Sequence, residues 1–220
     1  MLHDLLGGLP TGTEEKFEAY FRFLAEYGAV HNITAVLDRE GVYERHFKDS
    51  LALLPFVPRG ASVLDVGSGA GFPGVPLKIC RPDIKLVALE SARKKTDFLR
   101  ELAGMLDAEY EVVQSRAEDY KAPESFDVAV ARAVAPARTL AEYLLPFVRV
   151  DGSAVMMKSG DAEIELAEAE RAVCLLGGGK IETHRYENSG AIRLIAVIQK
   201  IKATPPGYPR GQNKPRLKPL

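Results

Sequence analysis

The chain has 220 residues, of which 46% are apolar and 27% charged, with two cysteines and a formal net charge of −1. That length makes one full domain with an extension, and these proportions exclude disordered, collagen-like and coiled-coil chains. No apolar run approaches the roughly 18 residues of a membrane span, since the longest, Leu51 to Val57, is broken by Pro55.

Met1-Leu2-His3-Asp4 carries neither the basic start nor the cleavage site of a secretory signal, so the protein is expected to stay in the cytoplasm, away from membranes. Phe17, Tyr20, Phe21, Leu24 and Gly28 recur at helical spacing behind Thr13, Glu14 and Glu15, which predicts an amphipathic helix over 13–28. A second helical pattern runs from Glu40 through Tyr43, Phe47, Leu51 and Leu54, with Asp38 as its cap and Pro55 and Pro58 as its stop. Residues 1–58 therefore form a helical N-terminal extension.

From Arg59 the pattern becomes short apolar strands alternating with helices. Strands are expected at 62–66, 85–89, 110–114, 126–131, 153–157, 180–186 and 191–199, and helices at 72–80, 92–106, 137–147 and 161–175. This alternation predicts an α/β fold, an open Rossmann-like sheet with parallel pairs, closed by an antiparallel hairpin of the last two strands and occupying residues 59–199. Cys80 and Cys174, far apart in helical segments, are expected to be small core residues rather than a disulfide or a metal site.

Ligands of such sheets sit beyond the carboxyl ends of the strands. The first strand runs into Asp65-Val66-Gly67-Ser68-Gly69-Ala70-Gly71-Phe72-Pro73-Gly74. Its glycines allow a sharp turn and close approach of a nucleotide-type cofactor. Gly69 to Gly74 also satisfies the dinucleotide fingerprint, which keeps a nicotinamide-dependent oxidoreductase open as an alternative. Asp65, two positions before the first glycine, suits a cationic ligand and would repel a diphosphate; its bland alternative is a cap on the turn. Glu90, ending the second strand, stands where an acid accepts from ribose hydroxyls.

Basic residues follow four successive strands: Arg93, Lys94 and Lys95, then Arg116, Arg132 and Lys158. Residues 200–220 add Lys200, Lys202, Arg210, Lys214, Arg216 and Lys218 with no acid, which leaves 23 basic against 30 acidic residues in the remaining 199. The set favours a polyanionic substrate, and a non-catalytic RNA-binding protein also fits it. Five prolines in this tail predict an extended, non-helical track for phosphates. Removing the tail from about Gln199 onward is then expected to weaken RNA binding and leave cofactor affinity unchanged.

After the fourth strand, Arg132-Ala133-Val134-Ala135-Pro136 lacks the Asn/Asp-Pro-Pro-Tyr/Phe segment with which adenine-amine methyltransferases grip their target. Neither cysteine sits at a strand end to attack cytosine C5. A ring nitrogen with an exposed lone pair, such as guanine N7, fits easily because it attacks without losing a proton.

Asp65-x-Gly67-x-Gly69-x-Gly71 resembles the first motif of S-adenosylmethionine-dependent methyltransferases. Together with His31 to Ala35, Arg45 to Leu51, Asp65 to Pro76, Val113 to Glu118 and Tyr208-Pro209-Arg210, it makes nearly the whole chain similar to the bacterial 16S rRNA guanine-N7 methyltransferase family (RsmG/GidB). The resemblance implies a class I methyltransferase sheet, S-adenosyl-L-methionine as cofactor, no metal, and a guanine of 16S rRNA as target, free or within the 30S subunit, reached by a monomer. It places cofactor contacts at Gly67, Phe72, Ala117, Glu118 and Arg132, beside Asp65, Gly69, Gly71 and Glu90 from the loop and strand ends, with Glu118 accepting from the adenine amine. Arg132 is expected to be catalytic, between cofactor and base, or else paired with Asp65 or Glu118. Lys94, Lys95, Arg116, Lys158 and Arg210 are expected to bind substrate. His46 either contacts RNA or packs the extension onto the domain.

Overall fold

Short runs rich in Val, Leu and Ala form strands because both faces of this sheet are covered, and near-continuous apolar runs are what a buried parallel sheet requires. In the computed structural model, which describes residues 10–220, these are β1 (Ser62–Val66), β2 (Lys85–Glu90), β3 (Glu111–Gln114), β4 (Phe126–Arg132), β5 (Val148–Ser159), β6 (Gly178–Asn188) and β7 (Ala191–Lys200). They lie in the order β3-β2-β1-β4-β5-β7-β6, with β7 antiparallel to both neighbours. Strand order reverses between β1 and β4, where a crevice for a ligand opens. Met1 to Asp4 lie outside the described residues; among the described ones, no helix is long and apolar enough to cross a membrane.

The helices are α1 (Thr13–His31), α2 (Arg39–Val42), α3 (Asp49–Leu51), α4 (Gly74–Cys80), α5 (Arg93–Leu106), α6 (Ala137–Leu144), α7 (Glu163–Leu175) and α8 (Lys214–Leu217). α1 buries Phe17, Tyr20 and Leu24 against α4 and α5, so the extension shares one apolar core with the first half of the sheet. Asp38 caps α2 as expected, accepting from Gly41 N at 2.7 Å. The single helix expected over Glu40–Leu54 is instead broken in register. Tyr43–Lys48 forms a π-helical turn between α2 and α3, an irregularity that periodicity does not announce.

The tail departs most from expectation. It contains the short helix α8, because Pro215 sits in the first turn, where its missing N–H has no partner to lose. Pro215 is buried and its carbonyl accepts from Thr139 Oγ1 at 3.0 Å. The Leu220 carbonyl accepts from Arg138 Nε. Lys200 is fully buried, donating to Leu145 O (2.6 Å), Val148 O (3.2 Å) and Thr204 Oγ1 (2.6 Å), and cannot reach a phosphate. Cys80 is buried as expected, whereas Cys174 lies exposed on α7.

Arg210, expected to bind substrate, clamps Glu142 of α6 in a fork of 2.7–3.1 Å. Glu142 is wholly buried. Arg210→Ala strands that carboxylate, and a loss of about 3 kcal/mol of stability is expected, measured by urea unfolding; an unchanged midpoint would show that the tail does not hold α6.

Candidate active site

Beyond the ends of β1, β2 and β4 lies a cleft of about 360 Å³. Its floor is the turn after β1. Gly67 there has φ +73°, and a Cβ would meet Val134 Cγ2 at 2.7 Å, so both the left-handed conformation and the close approach demand glycine. Gly71 has φ +96°, and its Cβ would meet Tyr20 Oη at 2.5 Å. Tyr20, fully buried, also donates to Ala70 O. The extension thereby braces the glycine loop from below.

Glu90 lines the cleft and accepts from Gly69 N at 3.0 Å and Ala92 N at 2.8 Å. Ala117 and Glu118 form the far wall. Glu118 Oε1 is buried with no hydrogen-bond partner, the Arg116 guanidinium lying 3.9 Å away, and can accept from a donor on a ligand. An adenine amine is such a donor, so the residues present fit the adenosyl group the sequence implies. Lys95 and Arg116 stand on the rim, Lys94 beside them on the exposed first turn of α5.

Asp65 is placed differently from expectation. It is buried under the loop, its Oδ2 accepting from Gly74 N at 3.0 Å, and it does not line the cleft. It caps the turn, and burial pushes its carboxyl up to about 6. Phe72 is likewise turned from the cleft and packs among Tyr20, His46 and Phe47. Arg216, which sequence reasoning assigned to a phosphate track, lines the cleft instead and donates to Val134 O at 3.2 Å. With Lys200 and Arg210 committed internally, the tail retains Lys202, Lys214, Arg216 and Lys218 as exposed cations. Because Arg216 of the tail lines the cleft, removal of the tail should impair cofactor binding, contrary to the expectation from sequence.

A second cavity of about 480 Å³ adjoins the first, and Ala133, at φ +55°, lines both. A non-glycine residue held left-handed is a strain that surrounding structure must enforce. Arg132, at the end of β4, faces the second cavity. Its partner is neither Asp65 nor Glu118 but Asp49 of α3, at 3.1 Å. The guanidinium also donates to Arg45 O at 3.2 Å and lies 4.9 Å over the Phe72 ring. Asp49 in turn accepts from Tyr186 Oη (2.8 Å) and Asn188 Nδ2 (3.2 Å). No charge pattern pointed to Asp49; the π-helical turn before it sets its direction. Lys158, expected to bind substrate, lines the second cavity and is paired with Glu165 at 2.7 Å.

His46 packs 4.6 Å from the Phe72 ring, as the packing alternative expects, and also lines the second cavity. Its Nδ1 lies 3.2 Å from Arg132 Nη2 and its Nε2 3.2 Å from Thr34 Oγ1. A neutral ring protonated on Nε2 satisfies both of these contacts and leaves a third, Arg45 O at 3.0 Å from Nδ1, unmet. Burial, and then the charge of Arg132, push its pKa down to about 4.

The strand order, glycine loop and orphaned acceptor define a class I S-adenosylmethionine-dependent methyltransferase. Solved structures agree on the fold: a methyltransferase from Pyrococcus furiosus superposes with a TM-score of 0.61 at 16% identity, covering 86% of this chain and 99% of that one. M. jannaschii TYW2 in complex with AdoMet gives 0.60 at 12%, covering 76% and 80%. The family description "rRNA small subunit methyltransferase G" matches residues 13–192. Proteins named ribosomal RNA small subunit methyltransferase G are 40% identical in Brevibacillus brevis, over 94% of this chain and 91% of that protein, and 43% identical in Moorella thermoacetica, over 92% and 88%. The chain belongs to the rRNA small subunit methyltransferase G family, which displaces the oxidoreductase alternative.

The neutral His46 ring has a stability signature. The unfolded chain takes up a proton near pH 6.5 and the folded one only near 4, so this contribution is complete above pH 6.5 and is lost as pH falls toward 4. Asp65, raised from 3.8 to about 6, acts in the opposite sense over an overlapping window. The stability difference between wild type and His46→Gln isolates the ring: it should favour wild type at pH 7 and narrow on acidification. A difference independent of pH would show that His46 does not titrate abnormally.

Proposed function

We propose that the protein transfers a methyl group from S-adenosylmethionine to N7 of a guanine in 16S rRNA, acting in the cytoplasm as a monomer on rRNA exposed in the 30S subunit. The observation that carries this reading is the pair of adjoining cavities. One fits an adenosyl cofactor, and the other is a chamber beside it at the ends of β4 and β5 with charged side chains in its lining. When bound, the cofactor supplies an electrophilic methyl carbon.

Guanine N7 attacks with a lone pair and releases no proton, so the protein's task is alignment and exclusion of water. The cysteines support this choice: burial pushes the Cys80 thiol up to about 12, and Cys174 lies on the outer surface of α7, so neither supplies a thiolate for cytosine chemistry. Lys94, Lys95, Arg116 and Arg216 surround the mouth with positive charge suited to phosphates. Gly67, Glu90, Ala117 and Glu118 hold the cofactor, and Arg132, fixed by Asp49, presents its charge where the two cavities meet.

Deleting the gene should abolish one 7-methylguanine in 16S rRNA; an unchanged content would refute the proposal. Arg132→Ala leaves Asp49 buried and unpaired, so a stability loss of about 3 kcal/mol is expected together with loss of methylation. Arg132→Lys keeps the charge but cannot span Asp49, Arg45 O and His46 at once. It should recover much of the stability and little of the turnover in a tritiated-methyl assay. Full turnover in this variant would show that the fork is dispensable.

A further inference from the structure

The second cavity must do more than admit a base. Guanine and adenine share N7 and the purine outline, and they differ on the Watson–Crick edge. Guanine presents the O6 acceptor beside the N1–H and 2-amino donors, whereas adenine presents its 6-amino donor beside the N1 acceptor. A site that selects guanine therefore needs a donor adjacent to an acceptor.

Two carboxylates line the cavity, Asp49 and Glu165. Asp49 has both oxygens engaged, by Arg132, Tyr186 and Asn188. Glu165 has one: its Oε1 accepts from Lys158 Nζ at 2.7 Å and from Ala137 N, while Oε2 accepts from no described residue. Lys158 Nζ spends a second hydrogen on Ala135 O at 2.8 Å, which leaves one of its three N–H groups uncommitted. The pair lies at the end of β5 and the first turn of α7. It also pins the carbonyl of Ala135 and the N-terminus of α6, the loop that contains Ala133.

We propose that Lys158 and Glu165 read the Watson–Crick edge of the target guanine in this cavity, the lysine donating to O6 and Glu165 Oε2 accepting from N1–H and the 2-amino group. The proposal rests on the guanine-N7 reading above and adds the residues that choose the base. Adenine would set its amine against the ammonium and its N1 lone pair against the carboxylate, leaving the third N–H of Lys158 and Oε2 of Glu165 without partners. Reading this edge keeps N7 free to react.

The test uses the full-length protein and 30S subunits carrying guanosine or inosine at the target position. Glu165→Gln keeps a carbonyl oxygen for Lys158 and Ala137 and replaces Oε2 with a donor. Its kcat/KM on guanosine should fall by about 30-fold, the usual scale for a charge-assisted hydrogen bond, while S-adenosylhomocysteine affinity stays within about two-fold. Loss of the 2-amino group in inosine should slow wild type by about 10-fold and the variant hardly at all. Wild-type rates in the variant, or equal sensitivity of both proteins to inosine, would overturn the proposal; the latter is the result if Lys158 binds a phosphate instead. If the variant does not fold, the wild-type comparison decides alone, since equal rates on guanosine and inosine refute 2-amino recognition. Failure of wild type to methylate guanine N7 would refute the function proposal itself.

Discussion

The buried pair of Arg132 with Asp49 is the contact on which the rest of the site depends. A guanidinium at the end of an apolar strand and a carboxylate on a short helix are both costly to bury, and each is tolerable only because of the other. The pair does not stand alone: Tyr186 and Asn188 on the β6–β7 hairpin complete Asp49, while Arg45 O and His46 complete Arg132. One charge pair thus ties together the extension, the central strand and the antiparallel edge. What it fixes is the direction of Arg132 at the junction of two cavities.

That arrangement explains why the N-terminal helices are part of the catalytic domain rather than an appendage. Tyr20 braces the glycine loop through Ala70, and Phe72 is sandwiched between Tyr20 and His46. The loop that faces the cofactor on one side rests on the extension on the other. Gly71 is then required for a reason outside the cofactor, because a Cβ there would strike the Tyr20 hydroxyl. The glycine motif serves ligand approach at Gly67 and helix packing at Gly71.

The sheet was legible in the sequence because buried parallel strands leave dense apolar runs, and the observed strands at 62–66, 85–90 and 126–132 match them within a residue. The cofactor cleft was legible too, since Gly67, Glu90, Ala117 and Glu118 follow strand ends, where topology dictates what they face. What failed were inferences from charge alone. A cation's sequence position says nothing about whether a buried acid awaits it, as Glu142 awaits Arg210. Asp49 was hidden for a related reason: the π-helical turn at Tyr43–Lys48 changes the face on which later residues emerge, and no periodicity argument anticipates that shift.

The same distinction governs how the chain meets a polyanion. An acidic body with a basic tail invites the picture of a flexible arm drawn onto RNA, yet the tail is fastened by Pro215, Arg210 and Lys200 into the domain, and Arg216 faces the cleft. A fastened tail is ordered before RNA arrives, so its remaining cations meet phosphates without the entropy loss of ordering a loose segment. It also brings one of those cations, Arg216, into the lining of the cofactor cleft. Positive charge is thereby concentrated at the mouth, where Lys94, Lys95, Arg116 and Arg216 gather, whereas in the second cavity Arg132 and Lys158 are paired with Asp49 and Glu165, and Arg193 lines the wall with no carboxylate partner among the described residues. A base entering that cavity meets groups already held in a fixed hydrogen-bonding pattern, which is the condition under which purines can be told apart.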